Sequence, residues 1–333
     1  WRLQDAPDRV ATRSDAPVVR LVQPAIAQQQ KMDAAAREEI FATLLDLSSL
    51  EAGPEGTPDG AEPTGSAEAA TPVRPPATPD IVIWPETSVP YLLTRQAAAL
   101  AAIGDTLSSE QTLLTGAVRE EPGDEDGTVT GRYYNSVMAV SGEGVIAGAA
   151  DKVHLVPFGE YLPFASLLER AGLKAVAAAD RGYSAAPARA TIDLPGGLTV
   201  LPLICYEAIF PHLSVPPAGA GVDALVNVTN DAWFGRTPGP WQHMHQSRLR
   251  AIETGLPLVR VANNGISMVI DPFGRALARI GHDKRAVTDV PLPAQAEPFE
   301  TGLGRLGNFW LFIGALSAIA LLGRAWSSSF RSR

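Results

Sequence analysis

Cysteine is almost missing from this chain: 333 residues contain one, Cys205. A single thiol cannot close an internal disulfide, and zinc sites built on sets of cysteines are excluded with it. Histidine is scarce as well, five in all, and the one close pair, His243 and His245, is spaced by two. Side chains two apart on a helix point to different faces, so both read as surface or packing histidines, and neither a metal nor a cofactor is expected. Lys and Arg number 27 against 36 Asp and Glu, a net charge of −9, which makes nucleic acid a poor partner. Large apolar side chains nearly vanish between Glu51 and Asp80, where 30 residues hold seven prolines, four glycines and six acids against one arginine. Such a composition cannot offset the entropy of ordering, and the segment 51–80 is expected to be a disordered insert.

What is present begins with Cys205. It closes the apolar run Leu198-Thr-Val-Leu-Pro-Leu-Ile204 and is followed at once by Tyr206 and Glu207, so a buried strand would deliver a thiol to a sheet edge beside a carboxylate. Most unpaired cysteines are small buried hydrophobes, but two other segments favour chemistry. Ile81-Val-Ile-Trp-Pro-Glu86 is a short apolar strand that stops at a proline and presents an acid, although Glu86 could instead cap a helix starting near Thr87. Asp151-Lys152 begins a stretch that reaches Glu160 over a Pro/Gly turn, although Lys152 could be a solvated strand-end charge. Together they supply what thiol acyl chemistry needs. A cysteine attacks as thiolate and requires a base and a cation nearby; a carboxylate can manage the proton; a lysine with a backbone N–H beside the nucleophile can hold an oxyanion.

Regular elements surround these segments. Strands are expected at Val18–Val22, Ile81–Trp84, Thr112–Val118, Tyr134–Val140, Val145–Ala149, Val200–Ile204, Ala224–Val228, Leu258–Ala262 and Ser267–Ile270. Several are apolar throughout, as buried strands are. One helix is expected over Lys31–Leu50, with Met32, Ala36, Ile40, Leu44 and Leu47 on one face, and others near Thr94–Ile103, Phe164–Ala171 and Trp241–Thr254. Arg119–Gly131 reads as a long hairpin turn. This alternation predicts an α/β fold in layers.

The order Glu, Lys, Cys with these flanks resembles the nitrilase superfamily. More closely, Trp84-Pro-Glu86, Lys152 with Phe158-Gly-Glu-Tyr-Leu-Pro163, Cys205-Tyr-Glu207, Asn230-Asp-Ala-Trp-Phe-Gly235 and Arg250 to Ser267 resemble the apolipoprotein N-acyltransferase family. Five blocks in order are specific where one would be weak. The resemblance implies a nitrilase-like αββα sandwich over residues 18–300. It implies transfer of an acyl chain from a phospholipid donor to the α-amino group of a diacylglyceryl-modified apolipoprotein acceptor, through a thioester on Cys205. Glu86, Lys152 and Cys205 would be catalytic, with the Tyr206 N–H assisting at the oxyanion. Glu160 and Glu207 would hold Lys152 or shape the acyl entrance, and Trp233 and Phe234 would contact lipid. One departure stands out: the family commonly has a tryptophan where this chain has Met32, which puts any aromatic-specific role there in doubt.

The C-terminus carries the one long uncharged run. Leu306 to Gly323 spans 18 residues, roughly 27 Å as a helix, enough to cross a bilayer. Trp310 and Trp326 lie near its ends, and Arg324, Arg331 and Arg333 follow it. By the positive-inside rule the tail 324–333 would be cytoplasmic and the large domain outside. Taken with the family resemblance, a C-terminal transmembrane helix of this kind implies a protein of the bacterial inner membrane with its catalytic domain on the periplasmic side. Residues 1–17, which begin at tryptophan with no signal peptide, would lead out of preceding membrane helices. A nitrilase-type amidase acting on a small C–N bond would use the same three residues and need no anchor; a silent membrane-tethered binding domain would need no thiol.

Overall fold

Period-two alternation sets the sheets. In β2 (Ile81–Ile83), Ile81 and Ile83 face one way and pack with Val19 and Leu21 of β1 (Val18–Gln23). Val82 and the following Trp84 face the other way, toward Leu44 of α2 (Arg37–Ser49) and Ile103 of α3 (Ala97–Thr106). Both faces are covered, so the strand is apolar throughout. The computed structural model describes residues 16–50, 78–124, 131–161, 182–235, 237–298 and 310–319. Residues up to Ala296 form one compact unit and those from Glu297 a second.

The first unit holds two six-stranded sheets. One runs β12-β1-β2-β3-β4-β5 and contains β3 (Thr112–Glu121), β4 (Arg132–Ser141), β5 (Ile146–Asp151) and β12 (Ala286–Pro291). The other runs β11-β10-β9-β8-β7-β6 and contains β6 (Ile192–Leu194), β7 (Leu198–Ile204), β8 (Ala224–Thr229), β9 (Leu258–Ala262), β10 (Ser267–Ile270) and β11 (Ala276–Ile280). At the centre of each, three strands are parallel: β1, β2 and β3 in one, β7, β8 and β9 in the other. Val200, Ile204, Val226, Val228 and Val261 meet the inner face of the first sheet. Outside the second sheet, Leu201, Leu203 and Leu258 pack with Met244 and Ala251 of α5 (Gly239–Thr254) and Leu213 of α4 (Pro211–Ser214). This is the nitrilase-like two-sheet α/β sandwich, with helices on both outer faces.

Two parts of the sequence reading change. The helix expected over Lys31–Leu50 is broken: α1 (Gln28–Met32) ends at Asp33, whose backbone is extended and whose carboxylate accepts the Ala35 N–H at 2.9 Å before α2 begins. Aspartate competes for backbone N–H groups in this way and so favours caps over helix interiors. Met32 is consequently 66% exposed instead of lying on the buried face. Three strands, β6, β11 and β12, went unread, and each is a sheet edge. The β3–β4 hairpin is present, pairing Arg119 with Tyr134 and Glu121 with Arg132.

In the second unit residues 310–319 are helical, and Trp310, Leu311, Phe312 and Ile319 are exposed. Among the described residues no helix is long and apolar enough to cross a membrane. The span expected over 306–323 extends past the described helix at both ends. The tail 324–333, most of the leading segment and of the 51–80 insert, and the helix expected at Phe164–Ala171 lie outside the described residues.

Candidate active site

The carboxyl ends of parallel strands are where open α/β sheets present their ligand sites, and the chemistry-bearing side chains gather there. After β2 the chain turns through Trp84-Pro85-Glu86. Trp84 is anchored by an Nε1–H bond to Ser48 Oγ at 2.8 Å. The turn lies directly on β3 at Gly116: a Cβ there would stand 2.5 Å from Glu86 Cα and from Pro85 O. Only glycine lets the two backbones approach so closely, and the Ser88 N–H closes the contact on Gly116 O at 2.9 Å. No helix starts at Thr87, so Glu86 is not a helix cap. It is 6% exposed, and its oxygens are held separately: Asn135 Nδ2 donates to Oε1 at 2.8 Å and the Asn230 N–H, at the end of β8, donates to Oε2 at 2.9 Å.

Lys152 follows β5 and is 1% exposed, so it is no solvated strand-end charge. Its Nζ donates to Glu160 Oε1 at 2.8 Å and lies 3.8 Å from Glu86 Oε1. Asn135 Nδ2 also donates to Glu160 Oε1 at 3.0 Å, so one ammonium and one amide bridge the two carboxylates. The Val156 N–H donates to Glu160 Oε2 at 2.9 Å, fixing the turn that carries Glu160. Burial would pull the Lys152 ammonium down, but the charges of Glu86, Cys205 and Glu160 outweigh it and hold its pKa above the usual lysine value. A buried cation is tolerated when it is paired in this manner.

Cys205 starts a short 3-10 turn directly after β7, with φ of +52°, a left-handed conformation rare for a residue with a Cβ. Its thiol faces the Thr229 hydroxyl, and the charges of Glu86 and Lys152 both act on it. Burial, and then Glu86, push the thiol up to about 12, with Lys152 and Thr229 pulling the other way. Glu207 ties the turn down: Oε2 accepts the Ile204 N–H at 2.8 Å, and Oε1 accepts the Val153 and His154 N–H groups at 2.8 and 3.0 Å. Burial raises its pKa against those backbone bonds. Glu160 therefore grips Lys152 itself, whereas Glu207 joins the backbone after Lys152 to the backbone before Cys205.

Of the remaining expected residues, the Tyr206 ring is 38% exposed and lies edge-on to Phe210, with centroids 6.2 Å apart. Trp233 is 67% exposed, but Phe234 is half-buried with its ring 6.1 Å from His243. Four residues were not anticipated. Asn135 lies in β4 between Tyr134 and Ser136, where nothing in the sequence separates it from an ordinary strand amide. Lys31 is half-buried and donates to the Glu86 carbonyl at 3.2 Å; burial draws its pKa down to about 8 against the pull of Glu86. Tyr183, raised to about 12 by burial and by Glu86 and Glu160, had no sequence signal. His245 is exposed as expected, whereas His243 is buried and its Nε2 bonds the Cys205 carbonyl at 3.0 Å. Among the described residues no group of three or more His, Cys, Asp or Glu is arranged to hold a metal ion.

The carbon-nitrogen hydrolase family matches residues 19–298. An apolipoprotein N-acyltransferase of Agrobacterium fabrum is 46% identical over 321 residues, covering 96% of this chain and 56% of the relative. The enzyme of the same name from Brucella melitensis is 46% identical over 299 residues, covering 90% of this chain and 52% of the relative. The chain thus spans about half the length of these curated relatives. A solved nitrilase-superfamily structure from Saccharomyces cerevisiae superposes with a TM-score of 0.53 at 18% identity, covering 86% of this chain and 93% of that one, a likeness of fold. With that fold, and with a family match running nearly from β1 to the end of the first unit, the chain belongs to the carbon-nitrogen hydrolase family.

Proposed function

We propose that this chain is the catalytic part of an apolipoprotein N-acyltransferase, moving a fatty acyl group from a phospholipid to the α-amino group of a diacylglyceryl-modified N-terminal cysteine. The observation that carries the reading is the convergence of Glu86, Lys152 and Cys205 from three separated segments on one buried cluster. Identity of 46% to relatives of that activity supports the substrate class.

The electrostatics support a role for each residue. A thiol held near 12 is almost wholly protonated at neutral pH, so attack requires removal of its proton as the S–C bond forms. Glu86, oriented through both oxygens, accepts that proton. Lys152, held protonated, and the Tyr206 N–H stabilise the oxyanion on the ester carbonyl. The tetrahedral adduct collapses with cleavage of the ester C–O bond, and the departing lysophospholipid oxygen takes the proton from Glu86. The acyl group remains as a thioester. The acceptor amine then attacks, Glu86 takes its proton, and the thiol is regenerated as the amide leaves. Glu160 and Glu207 keep Lys152 and the Cys205 turn in register, and exposed Trp233 is a lipid contact. Phe234 backs His243 and reaches lipid only at its exposed edge. The C-terminal segment 306–323 anchors the enzyme in the bacterial inner membrane, with the sandwich on the periplasmic side.

The test uses full-length enzyme in phospholipid vesicles carrying a labelled acyl chain, with a diacylglyceryl lipopeptide as acceptor. Label should pass to the peptide amine with ping-pong kinetics, and C205A should abolish transfer. Release of free fatty acid with no amide product would favour an amidase-like hydrolase and overturn the proposal.

A further inference from the structure

Cys205 is held in its strained conformation by a buried set of polar side chains that the reaction above does not use. Its carbonyl oxygen accepts His243 Nε2–H at 3.0 Å and Asn227 Nδ2–H at 3.3 Å. Because a carbonyl only accepts, Nε2 must carry hydrogen. On the opposite edge of the ring, Nδ1 lies 3.0 Å from Asp231 Oδ1 and 3.2 Å from Arg260 Nη2. An imidazolium satisfies Asp231 there, and the neutral Nε2–H tautomer satisfies Arg260. Either charge state keeps the bond to Cys205. Asp231 is itself clamped by Arg260 Nη2 at 2.7 Å. Arg260 is further fixed by Ser247 at 3.0 Å, by the Ile266 carbonyl at 3.2 Å and by Asn227. His243, Asp231, Arg260, Asn227 and Ser247 are all buried. Desolvating an Asp–Arg pair and a histidine is costly unless geometry compensates, and fold stability alone is more readily reached with apolar residues.

The Cys205 carbonyl and the Tyr206 N–H belong to one peptide unit. That unit is planar and trans, so its C=O and N–H point in opposite directions. Pinning the oxygen therefore aims the hydrogen. We infer that His243, oriented by Asp231 and Arg260, is a positioning residue that locks the 205–206 peptide plane and so presets the Tyr206 N–H as oxyanion donor. The inference rests on the thioester chemistry proposed above and adds a source for its preorganisation. Free rotation of this peptide would spread the N–H over orientations in which it gives the oxyanion little.

The test separates two reactions of one thiol in the full-length enzyme. Acylation by p-nitrophenyl butyrate passes through an oxyanion; alkylation by iodoacetamide does not. In H243L, which keeps bulk and loses the donor, the acylation burst should slow roughly 100-fold, the range found for loss of one oxyanion donor, while alkylation stays within about twofold of the wild-type rate. H243Q, whose amide can reach the Cys205 carbonyl, should restore most of the acylation rate. H243N, too short for that carbonyl but able to pair with Asp231, should behave as H243L and stands in for it if H243L does not fold. Equal loss of both reactions, or loss of neither, overturns the inference while leaving the thioester reading intact. Absence of any burst in the wild type sinks the thioester reading and this inference with it.

Discussion

Burial and neighbouring charges together set the state of Cys205, Lys31 and Lys152, and this yields two predictions. The Cys205 thiol near 12 lies above the ordinary thiol value of 9.0. Between those values the unfolded chain has released a proton that the folded one keeps, so this residue makes folding less favourable as pH rises through the window. The stability of C205A relative to wild type, measured by urea unfolding, should therefore grow from pH 9 upward; an unchanging difference would contradict the shift. Lys31 is drawn down to about 8 and is half-buried, whereas Lys152 is held above the usual value and is enclosed. Reductive methylation at pH 8, followed by peptide mapping, should mark Lys31 and spare Lys152. Glu86 and Cys205 were legible because an acid and a lone thiol at the end of an apolar strand need a reason, Lys152 because a thiol nucleophile wants a cation, and Glu160 and Glu207 mainly through the family resemblance. Asn135 and His243 were less so: a neutral amide in a strand and a histidine in a helix look the same in sequence whether they serve packing or the site.

Among the elements, the central strands were readable and three of the four sheet edges, β6, β11 and β12, were not. Strand β2 is apolar throughout and β7, β8 and β9 are predominantly so, whereas β11 and β12 alternate buried with more exposed positions along an open edge. The break at Asp33 was hidden because apolar residues keep a helical spacing across it, and only the side chain's bond to Ala35 N–H reveals the cap. Two substitutions test how elements carry the site. G116A would push a Cβ into the Glu86 turn; displacement of a reacting group by about 1 Å costs roughly 100-fold in rate, so kcat should fall by that order while C205 alkylation persists. L44A, at a fully buried position of α2, should destabilise the sandwich by about 2–5 kcal/mol in denaturant titration without altering the pH dependence of thiol reactivity.

At the scale of the whole molecule, pseudo-repetition explains how residues so distant in sequence meet. Each sheet has a parallel trio at its centre, and the two trios lie face to face across one core. Glu86 leaves the carboxyl end of a strand in the first trio and Cys205 the corresponding end in the second, while Lys152 enters from the hairpin edge of the first sheet. The sandwich thus sets a carboxylate, an ammonium and a thiol at one shared rim, and acyl transfer through the thiol is the use we propose for it. Intact-protein mass spectrometry tests this most directly, with full-length enzyme incubated with phospholipid alone and then with a diacylglyceryl lipopeptide. The account predicts a mass gain of one fatty acyl group, mapped to Cys205, that disappears as the peptide is acylated. Active enzyme that turns over while Cys205 stays unmodified under rapid quench would contradict it.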